Sequence, residues 1–234
     1  MKKDPYVLED GTLKNKLGIT DYNELNKAEA DIGFAKLIDI DSTYLRDFDA
    51  ELLRSLHKHI FEDIFDWAGE YRTIPLYKEE IVIPGLSLEY EEPGIIKESL
   101  DEKLKTLNNT KWKEKSIKEI SLEFTKKLAK IWRVHPFRDG NTRATLAFAD
   151  LYARMHGFPF DMGYLTKNLN REMDENGKII RYSIREKFVL AALDDEDYPE
   201  PEHLAKMFEI AIKRGALPKV NSEIKDSKAN EGRE

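Results

Sequence analysis

The chain has 234 residues, 35% of them charged and 41% hydrophobic, which is enough apolar material for one good core and suits a water-soluble helical protein. A net charge of −7 argues against general affinity for DNA or RNA, and the absence of cysteine excludes a disulfide framework and a zinc–thiolate site. No apolar run approaches the roughly 18 residues of a membrane span, and Met1-Lys-Lys-Asp-Pro-Tyr6 lacks the apolar region of a secretion signal, so the expectation is a cytoplasmic protein with no membrane contact.

In chain order, the apolar spacing predicts helices from Glu24 to Ile38 and from Phe48 to Phe65. Thr73-Ile74 and Ile81-Val-Ile83 are β-branched arms that can form a hairpin over Arg72 to Ile83, with Lys78-Glu79-Glu80 at its tip. After the turn at Pro84-Gly85, Tyr90 to Leu107 is again helical, and Asn108-Asn-Thr110 closes it. Ser116 to Val134 carries Ile117, Ile120, Leu122, Phe124, Leu128 and Ile131 at helical spacing, and a further helix runs on through Leu146, Phe148, Leu151 and Tyr152. Gly157 to Phe160 reads as a turn, and Asn168 to Leu193 and Glu202 to Lys213 read as helices. Residues 1–215 are therefore expected to form a single domain with an N-terminal helical extension, and 216–234 a polar tail. His57 and His59, two apart on a helix, face different ways and make a poor metal pair, while Trp67, Trp132 and Phe148 are read as core.

The chemistry concentrates in His135-Pro-Phe137-Arg-Asp139-Gly140-Asn141-Thr142-Arg143, which interrupts two helices. Pro136 disfavours helix at the residue before it, Gly140 permits a left-handed turn, and Asn141 or Thr142 can cap the next helix. A helix end behind a glycine turn offers unpaired N–H groups to an anion, phosphate above all. Arg143 in the first turn of that helix opposes the macrodipole, a conflict that a bound anion would remove. Asp139 beside phosphate implies an intervening hard cation such as Mg²⁺, and His135 suits removal of a proton from an incoming hydroxyl. Together these residues describe phosphoryl or nucleotidyl transfer to a hydroxyl.

This segment resembles the signature of the Fic family of protein adenylyltransferases, His-x-Phe-x-(Asp/Glu)-Gly-Asn-Gly-Arg-x-x-Arg. The run Leu13-Lys-Asn-Lys-Leu-Gly-Ile19 and the segment from Ile60 to Ile74 around Trp67 also look like Fic cores, so that the likeness covers residues 10 to 215. The resemblance implies a mostly α fold, a Fic-type helical bundle with a small β-hairpin flap. It implies transfer of AMP from ATP to a Ser, Thr or Tyr hydroxyl of a target protein, with His135 as general base and Phe137 anchoring the loop. Asp139 would hold Mg²⁺, Gly140, Asn141 and Thr142 would form the anion-binding turn, and Arg143 would bind the nucleotide's phosphates. The flap, residues 72–83, would clamp an extended segment of the target by strand addition, with Lys78 as a flap residue at the nucleotide. Self-modification and a toxin role belong to the same family picture.

Two departures stand out. Thr142 replaces the usual glycine, narrowing the room for phosphate, and Leu146 falls where the pattern has its final arginine, the grip on the terminal phosphate of ATP. The related Doc toxins, which act as protein kinases, share a non-glycine residue and a leucine at these two positions, which keeps phosphotransfer open beside adenylyl transfer. A catalytically silent binding module is the reading from outside the enzymes. Ser227-x-x-x-Glu231-Gly232 also fits the short form of the family's inhibitory helix, although its expected partner is replaced by Leu146, so the expectation is a brake that is inactive or works differently. The target protein and the oligomeric state are not legible in the sequence.

Overall fold

The structure is a computed structural model that describes residues 4–40, 47–78 and 80–217. Ser227, Glu231 and Gly232, and almost all of the segment 216–234, lie outside these residues. Eight α-helices account for half of the described chain: α1 Tyr22–Ile38, α2 Ala50–Phe61, α3 Ile96–Asn108, α4 Ile117–Val134, α5 Asn141–Met155, α6 Met162–Lys167, α7 Ile184–Ala191 and α8 Glu202–Gly215. Several begin where a side chain can satisfy the free amides of the first turn. Asp21 accepts from Glu24, Asp49 from Leu52 and Asp161 from Tyr164. Ser116 with Glu119, and Ser183 with Glu186, form reciprocal capping boxes on α4 and α7.

Helix α4 runs through the middle of the bundle, packed against α3, α5, α7 and α8, while α2 lies across α5 and α1. Its apolar stripe explains the position: Phe124, Leu128, Ile131 and Trp132 are all buried, and Trp132 stacks on Phe188 with ring centroids 5.4 Å apart. Helix α5 is buried from Ala144 to Ala153, Thr145 and Asp150 included, as befits an interior helix. The expected core residues Trp132 and Phe148 are fully buried, and Trp67 is partly buried against the core, stacked on Phe65.

Two predicted elements fold differently. The helix expected over 168–193 is instead an antiparallel hairpin, β1 Glu172–Met173 and β2 Ile179–Arg181, followed by the short α7. Asp174 Oδ1 accepts from the amides of Asn176 and Lys178, and Gly177 takes a φ of +79°, so the Asn176-Gly177 pair turns the chain back. This is the small sheet of the fold, and it lies far along the chain from the segment expected to supply it.

The residues described between Arg72 and Ile83 carry no β-strand. The cause is inward-drawn polar groups: Arg72 and Glu80 are both buried, Ile83 donates its amide back to the Glu80 carbonyl, and turns occupy 81–85. The expected solvent-facing tip, with Lys78 and Glu80, therefore folds against the body of the protein.

Candidate functional site

The loop between α4 and α5 is held from several sides. Helix α4 ends at His135, which takes the left-handed conformation (φ +50°, ψ +57°), costly for a residue with a Cβ and sustained here by the surrounding bonds. The His135 carbonyl accepts from Arg72 Nε at 2.8 Å, and the Arg72 amide donates to the Pro136 carbonyl at 2.8 Å. The same guanidinium reaches the carbonyls of Ile74 at 2.8 Å and of Glu91. One buried cation thus joins three stretches of chain, and burial lowers its pKa, opposed by Glu92 and Glu91.

Asn141 closes the loop on itself. Its Oδ1 accepts from the Phe137 amide at 2.9 Å and its Nδ2 donates to the Phe137 carbonyl at 2.8 Å, a two-bond clasp inside the core. Phe137 lies flat on the His57 ring of α2, centroids 3.8 Å apart. His57 itself is fully buried. Its Nδ1 accepts from the Gly69 amide at 2.9 Å, which places the ring proton on Nε2, and Nε2 donates to the Asp139 carbonyl at 3.0 Å. Sequence reasoning set His57 aside as a metal ligand and missed this part, because a lone histidine on a helix carries no signal of its own.

Gly140 follows in the left-handed region at φ +75°, and a Cβ there would meet the Phe61 ring at 2.3 and 2.5 Å. Conformation and space both require glycine at this position. Gly140 is also the N-cap of α5, and no side chain caps that helix, so its first-turn amides are left for an anion.

Around this end lies a cavity of about 600 Å³ whose walls include His135, Asp139, Gly140, Asn141, Thr142, Arg143 and Lys78, all seven of the residues singled out from the sequence. Leu146 is buried in the core and does not reach the cavity wall, whereas Arg185 of α7 does. Thr142 Oγ1 accepts from the Trp132 indole at 3.0 Å, which gives the residue in the usual glycine position a fixed place.

The electrostatics favour a neutral imidazole beside an ionised carboxylate. Burial drives the His135 pKa well below 6.5, and Lys78, Arg185 and Arg72 push it the same way. The imidazole is only 2% exposed, with Nδ1 lacking any hydrogen-bond partner. Burial opposes ionisation of Asp139, but Lys78, Arg143, the Gly140 amide and Arg138 outweigh it and hold the carboxyl below its usual range. Lys78 is lowered by burial, partly offset by Asp139.

Arg143 brings a correction. The strain of a cation in the first turn of α5 is relieved from within the protein: Nη1 donates to the Glu29 carbonyl of α1 at 3.1 Å, Nη2 pairs with the Glu29 carboxylate, and the guanidinium lies 4.5 Å from the centre of the Phe61 ring. A Cβ on Gly33 would come within 3.0 Å of Nη1, so that glycine makes room for the pairing. Arg143 lines the cavity while anchoring α1. Glu29 and Arg185, which also line the cavity, were not foreseen as parts of the site.

A helical bundle that presents an uncapped helix end, a neutral buried histidine and a carboxylate to one cavity is built to handle a phosphate-bearing ligand. Comparison with known proteins agrees with that class. A model of the Fic/DOC family matches residues 47–153. The probable protein adenylyltransferase y4lH of Sinorhizobium fredii is 33% identical over 156 residues, which cover 64% of this chain and 74% of that protein. The protein adenylyltransferase VbhT of Bartonella schoenbuchensis is 26% identical over 162 residues, covering 68% of this chain but only 32% of its own length. Among solved structures, the BepC protein of Bartonella tribocorum with bound AMPPNP superposes with a TM-score of 0.65 at 22% identity, over 88% of this chain and 95% of that one. The chain belongs to the Fic/DOC family. The helical fold expected from the motif is the fold found.

Proposed function

We propose that the protein transfers AMP from ATP to a Ser, Thr or Tyr hydroxyl of another protein, within the cytoplasm. The observation that carries this reading is the meeting of a neutral, buried His135 with Asp139, Lys78 and the open N-terminus of α5 in one cavity of about 600 Å³. The names of the relatives and the nucleotide in the Bartonella tribocorum structure support it.

In this reading the acceptor oxygen attacks the α-phosphorus of ATP, the bond from that phosphorus to the bridging oxygen of pyrophosphate breaks, and the hydroxyl proton passes to His135. A base must be unprotonated to do this, which is what burial and the three nearby cations secure. The first-turn amides of α5 and Lys78 stabilise charge that builds on the phosphates, and no reorganisation is needed because the Asn141 clasp and His57 already hold the turn. Pyrophosphate then leaves.

The donor set fits a cation that arrives with the nucleotide. Among the described residues no group of three or more His, Asp or Glu side chains could hold a metal alone, but a single carboxylate plus phosphate oxygens is the usual setting of Mg²⁺. Asp139 would be its protein ligand, and the ion would neutralise phosphate charge. The target would approach along residues 72–83, presenting its hydroxyl past Lys78 to His135; the irregular backbone there offers a rim where a hairpin edge was expected.

The test uses ATP labelled separately at the α- and γ-phosphates, with Mg²⁺ and cell lysate, comparing the protein with its His135→Ala variant. Label from the α-phosphate on a protein band, lost in the variant, is the expected result. Label from the γ-phosphate alone would replace this reading with protein phosphotransfer, and label from neither would leave a binding module.

A further inference from the structure

The His135 ring lacks the hydrogen bond that usually orients a catalytic imidazole. Its Nδ1 is buried without a partner, and the contacts that define its plane are aromatic. Tyr90 is stacked on it at 4.0 Å between centroids and 21° between planes, and Trp132 meets it edge-on at 5.1 Å. Trp132 is fixed by the core and by Thr142. Tyr90 lies in the segment before α3, outside any helix, with its ring buried in the core and edge-on to Trp132 at 6.1 Å, and its hydroxyl adds a polar tether.

That hydroxyl donates to Glu80 Oε1 at 3.2 Å. Burial raises the Tyr90 pKa above its ordinary value, as does Glu80, so Tyr90 keeps the proton it donates. Arg185 grips both oxygens of Glu80 in a fork, at 2.6 Å each, and that fork is the geometry that fixes a carboxylate in direction as well as position. Glu80 is buried, whereas the Arg185 side chain is 35% exposed and lines the cavity. Three residues from separate parts of the chain thus run from the cavity wall to the face of the histidine.

We infer that Tyr90, anchored through Glu80 to Arg185, is the positioning residue for His135, setting the plane of the imidazole against the reacting hydroxyl. The inference rests on the reading of His135 as the base. Glu80 and Arg185 act through Tyr90, and Tyr90 acts through the ring it covers. Their loss changes the fraction of time the base is aligned and leaves the phosphate cradle at α5 intact.

The experiment measures label transfer from α-labelled ATP for Tyr90→Phe, Tyr90→Leu, Glu80→Gln and the double variant Tyr90→Phe/Glu80→Gln. Histidine-selective NMR of the same proteins is recorded in parallel, the His135 ring signals being identified by their absence in His135→Ala. Tyr90→Leu, which removes the stack, is expected to lose about 100-fold in kcat while its KM for ATP stays within about 3-fold. Tyr90→Phe keeps the ring and is expected to restore all but about 10-fold of the rate, and the double variant to be no slower than its slower parent, because both changes cut one relay. The His135 ring signals should broaden or split in Tyr90→Leu. Wild-type kcat in Tyr90→Leu, a rise in KM with kcat unmoved, multiplying effects of Tyr90→Phe and Glu80→Gln, or unchanged ring signals would each overturn the inference. Should Tyr90→Leu fail to fold, the Tyr90→Phe and Glu80→Gln pair decides. A wild-type protein that transfers no label would defeat the proposed function instead, and the ring signals would still judge the positioning.

Discussion

His57 should make the protein acid-sensitive in a way that one substitution can isolate. Its Nδ1 already accepts from Gly69 and its Nε2 already donates to the Asp139 carbonyl, so a second proton would set a new N–H against the Gly69 amide inside the core. Burial brings its pKa down to about 3, opposed by the bond to Asp139 and assisted by Arg143. The folded pKa lies below the unfolded value of about 6.5, so as the pH falls the unfolded chain takes up the proton first. Stability from this group is therefore complete above about pH 6.5 and is lost steadily down to about pH 3. At about 1.4 kcal/mol per unit, the loss between pH 7 and pH 4 comes to about 3 kcal/mol. Glutamine can offer an acceptor to Gly69 and a donor to Asp139 without titrating. Urea unfolding of the wild-type protein and His57→Gln, followed by tryptophan fluorescence at pH 7, 5.5 and 4, should show the variant weaker at pH 7 through loss of the stack on Phe137. The gap should then close by about 3 kcal/mol at pH 4. Parallel pH profiles for the two proteins would refute the reasoning.

Other perturbations test the loop and its neighbours. His135→Ala should abolish α-label transfer while ATP affinity, measured by calorimetry, stays within about 3-fold; equal loss of both would make the histidine structural. Gly140→Ala places a methyl against Phe61 and forces a left-handed alanine, at a combined cost of about 2–5 kcal/mol in chemical unfolding, part of which Phe61→Leu in the same chain should restore. A neutral Gly140→Ala would show that the turn is not tight. Arg143→Met leaves Glu29 buried without its partner, costing about 3 kcal/mol at pH 7. Burial already raises the Glu29 pKa, with Arg143 pulling it down, so the variant's Glu29 is raised further above its unfolded value. It takes up its proton at a higher pH than a glutamate of the unfolded chain, so the gap to wild type should narrow as the pH is lowered from 7, whereas a constant gap would mean the pair carries no charge effect.

Where the sequence was legible, one pattern carried both local structure and chemistry. Ser116 and Glu119 stand at the start of α4, the proline and glycine around Asp139 break it, and the six residues read from the motif line one cavity together with Lys78 from the segment 72–83. The hairpin at β1 and β2 had a signal as well, the Asn176-Gly177 pair, but the apolar spacing around it fitted a helix and masked it. The segment 72–83 misled for the opposite reason. Its β-branched arms favour strands, yet Glu80 finds a fork 105 residues away on Arg185 and a hydroxyl 10 residues on at Tyr90, and those pairings draw the chain inward. Glu29 with Arg143 belongs to the same kind, since partners 114 residues apart leave no mark in local spacing.

Arg72 bears on how the cavity admits its contents. Because one guanidinium donates to the carbonyls of His135, Ile74 and Glu91, those three margins are tied into a single slab, and a shift of one carries to the others. The opposite bank is pinned as well, where α1 is held to the loop through the pair between Glu29 and Arg143, so both walls of the cleft are braced by a guanidinium.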